Sequence, residues 1–167
     1  MGGRIAGESL PGQGSTFRVW LPMPVLPAPA NEVSSTQLLP WRVLVAEDNL
    51  FDQKVIVKML SKLGMTVTVA ANGAEAVKAR AAVRPDLICM DLQMPVMDGF
   101  EASRRIRDLE EATGQPPVPV LAISANSSPE DRAACKQVGM QGLLAKPISL
   151  NLLQAEIRRL QQVFASF

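Results

Sequence analysis

The sequence predicts a doubly wound α/β domain from Trp41 onward, and three features of the chain carry that expectation. Short apolar runs alternate with longer segments of helical period, five of each. Capping and turn residues stand at the junctions between them. Acidic, hydroxyl and basic residues recur just past the ends of the short runs, where an open parallel sheet gathers its ligands.

Arg42–Ala46 (RVLVA) is the first run, of the kind that fills a strand buried on both faces. Val55, Ile56, Met59, Leu60 and Leu63 then recur at helical spacing, and Gly64 stands where the residue past a helix end belongs. Thr66–Ala70 is a second strand and Ala74–Ala82 an alanine-rich second helix. Leu87–Met90 forms a third strand, with Phe100, Ile106 and Leu109 marking the helix after it. On that helix Glu110 reads as a surface acid. Val120–Ile123 is a fourth strand. Ser128-Pro129-Glu130-Asp131 supplies an N-cap, a proline at the first helical position and acids in the first turn. Gly142–Ala145 is the last strand, and Leu153, Ile157, Leu160 and Phe164 line the last helix. The crossovers are expected to be right-handed.

The segment before Trp41 is different. Arg4–Glu8 and Phe17–Leu21 are strand candidates about the turn-rich stretch Leu10–Gly14, so residues 1–23 read as a hairpin. Prolines at 22, 24, 27, 29 and 40 make residues 24–40 an extended linker, leaving 41–167 for the α/β domain.

Bulk properties narrow the function. Among 167 residues, 17 Lys and Arg balance 16 Asp and Glu, giving no electrostatic reason to expect nucleic acid as a partner. No apolar run approaches the roughly 20 residues a membrane helix needs. Met-Gly-Gly-Arg opens neither a secretion signal nor a myristoylation site, because Ala6 stands where Ser or Thr is required. A cytoplasmic location is therefore expected. Cys89 and Cys135, in apolar surroundings, read as buried thiols. The chain has no histidine, which removes imidazole acid–base catalysis, histidine zinc sites and any phosphohistidine of its own.

The chemistry collects at the strand ends. Glu47 and Asp48 follow the first strand, Asp91 the third, Ser124 ends the fourth, and Lys146-Pro147 follows the fifth. Singly, each has an ordinary explanation as a cap, a turn or a loop residue. Jointly, they are neighbours in one crevice. Clustered carboxylates repel unless a cation intervenes, and an all-oxygen set suits a hard ion such as Mg2+. A lysine and a hydroxyl beside that ion would neutralise an incoming phosphoryl group, and a carboxylate can accept it as an acyl phosphate.

Residues 42 to about 164 resemble the response-regulator receiver domain, especially receivers fused to hybrid histidine kinases. The matching segments are V-L-V-A-E-D-N, M-D-L-Q-M-P-V-M-D-G and L-L-A-K-P-I, in order and at fitting separations. The resemblance implies a flavodoxin-like (βα)5 sheet in strand order 2-1-3-4-5. It implies Glu47 and Asp48 as magnesium ligands, Asp91 as ligand and phosphoacceptor, and the Gln93 backbone carbonyl as a further ligand. Ser124 takes the position of the hydroxyl that follows the phosphoryl group, and Lys146 that of its ion-pair partner. A cis peptide before Pro147 is also implied. Gln93 and Asn126 fall where the family tunes autodephosphorylation. One position departs: three residues before Lys146 the family usually has an aromatic, and here stands Leu143.

The N-terminal piece, with G-G-R-I, G-Q-G-S-T-F and L-P-M-P, is similar to the last hairpin of a histidine-kinase ATP-binding domain. There Gly12, Gly14, Ser15, Thr16 and Phe17 match its last glycine box. Without the rest of that domain, ATP binding and autophosphorylation are not expected. The resemblance implies the C-terminal end of a hybrid kinase, as a fragment or a shortened product, with no output domain of its own. Its partners would be a histidine kinase or a phosphotransfer protein, and it would be a phosphoacceptor rather than an enzyme. Leu143 keeps a phosphorylation-uncoupled interaction module as the alternative. A metal-dependent hydrolase is disfavoured, because Leu-Gln after Asp91 leaves no second acid two residues on.

Overall fold

A computed structural model describes residues 4–10, 14–20 and 38–164, which fall in two compact units, Met1–Thr36 and Gln37–Phe167. In the first, β1 (Arg4–Leu10) and β2 (Gly14–Trp20) pair antiparallel from Arg4↔Trp20 to Leu10↔Gly14. Both ends of the expected turn, Leu10 and Gly14, are taken into the ladder, where their backbone groups find partners. Gly12, Leu21 and the proline-rich stretch up to residue 37 lie outside the described residues.

The second unit runs β3 (Arg42–Ala46), α1 (Leu50–Lys62), β4 (Thr66–Ala70), α2 (Gly73–Val83), β5 (Leu87–Asp91), α3 (Gly99–Thr113), β6 (Val120–Ser124), α4 (Pro129–Gln137), β7 (Gly142–Ala145) and α5 (Leu150–Phe164). Its five strands are parallel in the order β4-β3-β5-β6-β7. Counted from β3 that is 2-1-3-4-5, the expected topology.

Period-two alternation sends successive side chains to opposite faces. Val43, Val45, Leu87, Cys89, Leu121 and Ile123 meet Ile56 and Leu60 of α1 and Leu153, Ile157 and Leu160 of α5. Leu44, Ala46, Ile88, Met90, Val120 and Ala122 meet Ala76 of α2, Ala102 and Ile106 of α3 and Cys135 of α4. Burial on both faces is why the strands read as continuous apolar runs. Both cysteines are buried and free, as expected.

Caps fix where the helices begin. The Asn49 side chain accepts from the N–H groups of Phe51 and Asp52, and Asp98 accepts from that of Glu101. Ser128 and Asp131 form a reciprocal capping box with Pro129 at the helix start. Gly64 follows α1 at φ 82°, a left-handed conformation that glycine adopts without a Cβ clash.

Two features differ from the sequence reading. Contacts of this unit begin ahead of Trp41: Leu38 packs against the α1/α5 side, and Leu39 exchanges backbone hydrogen bonds of 3.0 and 2.8 Å with the Gln161 amide. More important, Glu110 is not a surface acid. It is buried, its Oε1 accepting from Arg80 Nε at 3.1 Å and the Val118 N–H at 2.9 Å, its Oε2 from Arg107 at 2.6 Å. Two guanidinium groups make its burial tolerable, and helical period, which could place Arg107 beside it, could not reveal Arg80, 30 residues away.

Candidate phosphoryl-transfer site

Strand ends build the site. β5 and β6 pair through Asp91↔Ile123, so Asp91 is the last residue of a fully buried central strand, while Glu47 and Asp48 leave the neighbouring β3. Gly99 lets the chain return closely: a Cβ there would collide with the Asp91 carbonyl, and the Gly99 N–H donates to the Leu92 carbonyl at 3.2 Å. β6 and β7 pair through Ser124↔Ala145, and the Lys146 N–H donates to the Ser124 carbonyl at 2.8 Å. The Lys146–Pro147 peptide is cis, as expected.

Lys146 is the hub. Its Nζ donates to Asp91 Oδ2 at 2.7 Å, Glu47 Oε2 at 2.8 Å and Asp52 Oδ2 at 3.0 Å. An ammonium has three hydrogens, so these three carboxylates take all of them. Asp91 Oδ1 accepts from the Gln93 N–H at 2.9 Å, and Glu47 Oε1 from the Asn49 N–H at 3.2 Å. Ser124, also buried, accepts at Oγ from the Asn126 N–H at 3.1 Å.

Carboxylate oxygens of Glu47, Asp48 and Asp91 lie within 4.8 Å of one another. With Asp52 that makes four acids about one lysine, and the excess of negative charge calls for a cation. Hard oxygen ligands of this kind suit Mg2+. Glu47 registers the strain: burial pushes its carboxyl up to about 7, with the charge of Asp91 adding to the rise, while Lys146 and the Asn49 N–H oppose it. For Lys146, burial disfavours the charged form, but the hydrogen bonds it donates to Asp91, Glu47 and Asp52 outweigh that and raise its pKa above the ordinary value. The lysine is thus fully protonated at neutral pH.

The structure therefore brings Glu47, Asp48, Asp91 and Lys146 together, with Ser124 one strand away. Gln93 is at hand through its backbone, its side chain exposed. Asp52 is the site residue that sequence reasoning missed. Three residues past the Asn49 cap, an acid reads as a first-turn partner for the helix dipole. The available signal was its position one turn after the Glu47–Asp48 pair. Leu143, in place of the usual aromatic, is buried with Ala122 and Cys135 on the α2–α4 side.

The family described as the response regulator receiver domain matches residues 43–158. The peroxide stress-activated histidine kinase mak1 of Schizosaccharomyces pombe is 43% identical over 116 residues, 68% of this chain but 7% of that protein. This chain thus spans a small part of the curated relatives it matches. Among solved structures, the receiver domain of a Pseudomonas aeruginosa PAO1 sensor histidine kinase, with magnesium in its active-site cleft, is 40% identical at TM-score 0.65, covering 72% of this chain and 97% of that one. The receiver domain of the Saccharomyces cerevisiae response regulator Ssk1, crystallised with the phosphotransfer protein Ypd1, is 33% identical at TM-score 0.72, covering 78% and 96%.

Proposed function

The chain belongs to the response regulator receiver domain family, and from that membership we propose that Asp91 accepts a phosphoryl group, with Mg2+, from a phosphohistidine. The donor would be carried by a histidine kinase or a phosphotransfer protein. The observation that carries this reading is the grip on Asp91: one oxygen held by Lys146 at 2.7 Å, the other by a backbone N–H, in a cluster of three metal-competent acids.

Glu47, Asp48 and Asp91, with the Gln93 carbonyl, would hold the ion. When bound it would neutralise charge on the phosphoryl oxygens. The chain's own groups do the rest. A carboxylate nucleophile needs no general base: an Asp91 oxygen bonds to phosphorus as the P–N bond breaks and the imidazole leaves with the electron pair. Lys146 offers fixed positive charge, and the Ser124 hydroxyl can turn from the Asn126 N–H to donate to a phosphoryl oxygen. In this role the domain is an acceptor whose chemistry ends on itself, working in the cytoplasm. The β1–β2 hairpin fits the proposed end of a kinase ATP-binding domain, which would make the chain part of a hybrid kinase. Leu143 favours a second reading, an interaction module uncoupled from phosphorylation, because an aliphatic side chain in the core cannot swing as an aromatic rotamer does.

Incubation with acetyl phosphate and Mg2+ tests the proposal. One added phosphoryl group by intact-mass measurement, absent when Mg2+ is chelated before the donor is added, is expected. A folded sample that shows no adduct at short times leaves the interaction module as the better reading. Asp48→Ala should weaken Mg2+ binding by at least about tenfold, against almost no change for Glu111→Ala, the exposed acid that serves as control in place of buried Glu110. Protons compete for the same site. Glu47 keeps its proton below about pH 7, so Mg2+ must displace it there. Affinity should be level above that pH and fall as pH drops through it, by up to about tenfold per unit. An affinity unchanged from pH 8 to 6 would mean that no proton on Glu47 competes with the ion in that range. Ser124→Ala should still be phosphorylated, at a rate lower by about tenfold, since one charge-stabilising donor is lost. An unchanged rate and lifetime would take Ser124 out of the mechanism.

A further inference from the structure

We propose that Asp52 is a positioning residue that occupies the third hydrogen of Lys146 until an incoming phosphoryl oxygen displaces it. The inference rests on the acceptor reading above. In the resting site the ammonium has no free hydrogen, since Asp91, Glu47 and Asp52 accept all three. A phosphoryl oxygen can pair with Lys146 only by taking one of those places.

Three observations identify the place given up. Asp52 makes the longest of the three bonds, 3.0 Å against 2.8 and 2.7 Å. Its side chain is 35% exposed, whereas those of Glu47 and Asp91 are 1% and 6% exposed. Once displaced, Asp52 can be solvated, while a buried carboxylate stripped of its partner could not. Finally, Asp52 stands apart from the Glu47–Asp48–Asp91 cluster, so releasing it leaves the metal-competent oxygens in place. Glu47 and Asp91 therefore stay bonded while Asp52 lets go. The cost of breaking a charge-assisted bond, and the charge of Asp52 beside an anionic donor, both restrain phosphoryl entry in the wild type.

Asp52→Ala removes the competitor from a partly exposed helix start. With acetyl phosphate the P–O bond to the acetyl group breaks as Asp91 oxygen bonds to phosphorus, and acetate leaves with the electron pair. The initial rate of this uptake, read by intact mass, should rise about fivefold over wild type, with the gain retained in about 0.5 M salt, where through-space effects of an exposed charge are screened. Magnesium affinity measured without donor should not rise, since Asp52 adds negative charge near the ion but lies outside the ligand cluster, so faster uptake cannot come from tighter metal binding. In the metal-free, donor-free protein the Lys146 ammonium 1H–15N signal should exchange faster with water, one of its three acceptors being gone. A rate at or below wild type, a gain that vanishes in salt, or an unchanged ammonium signal overturns the role of Asp52 alone. A wild type that takes up no phosphoryl group overturns the acceptor reading, and this inference with it.

Discussion

Asp91→Asn is expected to take up no phosphoryl group from acetyl phosphate and Mg2+ under conditions where the wild type gains one, while remaining folded. An amide oxygen is a far weaker nucleophile than a carboxylate, and no other acid of the site shares the position of Asp91. Glu47 is 0% exposed, with one oxygen on Lys146 and the other on the Asn49 N–H, and Asp48 extends from the loop beyond β3. Stability should change little, because two effects of similar size oppose each other. The amide keeps the Oδ1 contact with the Gln93 N–H but loses the charge-assisted bond from Lys146, worth about 1.5–3 kcal/mol. Against that, one negative charge leaves a group of four acids, relieving repulsion on Glu47. Unfolding free energies within about 1 kcal/mol of each other, with the adduct absent only in the variant, would fix the acceptor. An adduct of equal yield in Asp91→Asn would move the chemistry elsewhere.

The grouping of residues in the candidate site was legible in the sequence because it follows from topology. Once β3, β5, β6 and β7 are recognised as parallel strands, Glu47, Asp48, Asp91, Ser124 and Lys146 must emerge at one edge of the sheet. No side-chain detail is needed for that step. Asp52 and Glu110 were not legible in the same way. Both are helix acids, and helical period reports which face a residue occupies, not whether a cation waits there. Asp52 meets a lysine 94 positions later, and Glu110 an arginine 30 positions earlier. Glu110 sits one position after half-buried Leu109, so the acid, not the leucine, takes the inward place. A carboxylate on the inward face is improbable without partners, and partners are a tertiary property.

Glu110→Ala should therefore be among the most damaging single substitutions in the domain, although it touches none of the site residues. Removing the carboxylate strands Arg80, 4% exposed, whose Nε and terminal nitrogens were divided among Glu110, the Gln115 amide and the Pro116 carbonyl. Arg107 loses its 2.6 Å bond and keeps only the carbonyls of Val118 and Gly139. The Val118 N–H, bonded to Glu110 Oε1 at 2.9 Å, is left without that acceptor just before β6. Breaking one partner out of a buried ion pair costs about 3–5 kcal/mol, because the remaining charge is uncompensated. For a domain of this size that corresponds to a fall in Tm of roughly ten degrees or more. Glu111→Ala, one residue on and exposed, should stay within about 0.5 kcal/mol of wild type. The pair separates burial from helix propensity, since both place alanine on α3. If Arg80→Met is combined with Glu110→Ala, much of the loss should return, because no unpaired guanidinium then remains at that position. A Glu110→Ala midpoint equal to that of Glu111→Ala would mean that water reaches Arg80 and that the three charges are not the tie between α2, α3 and the start of β6.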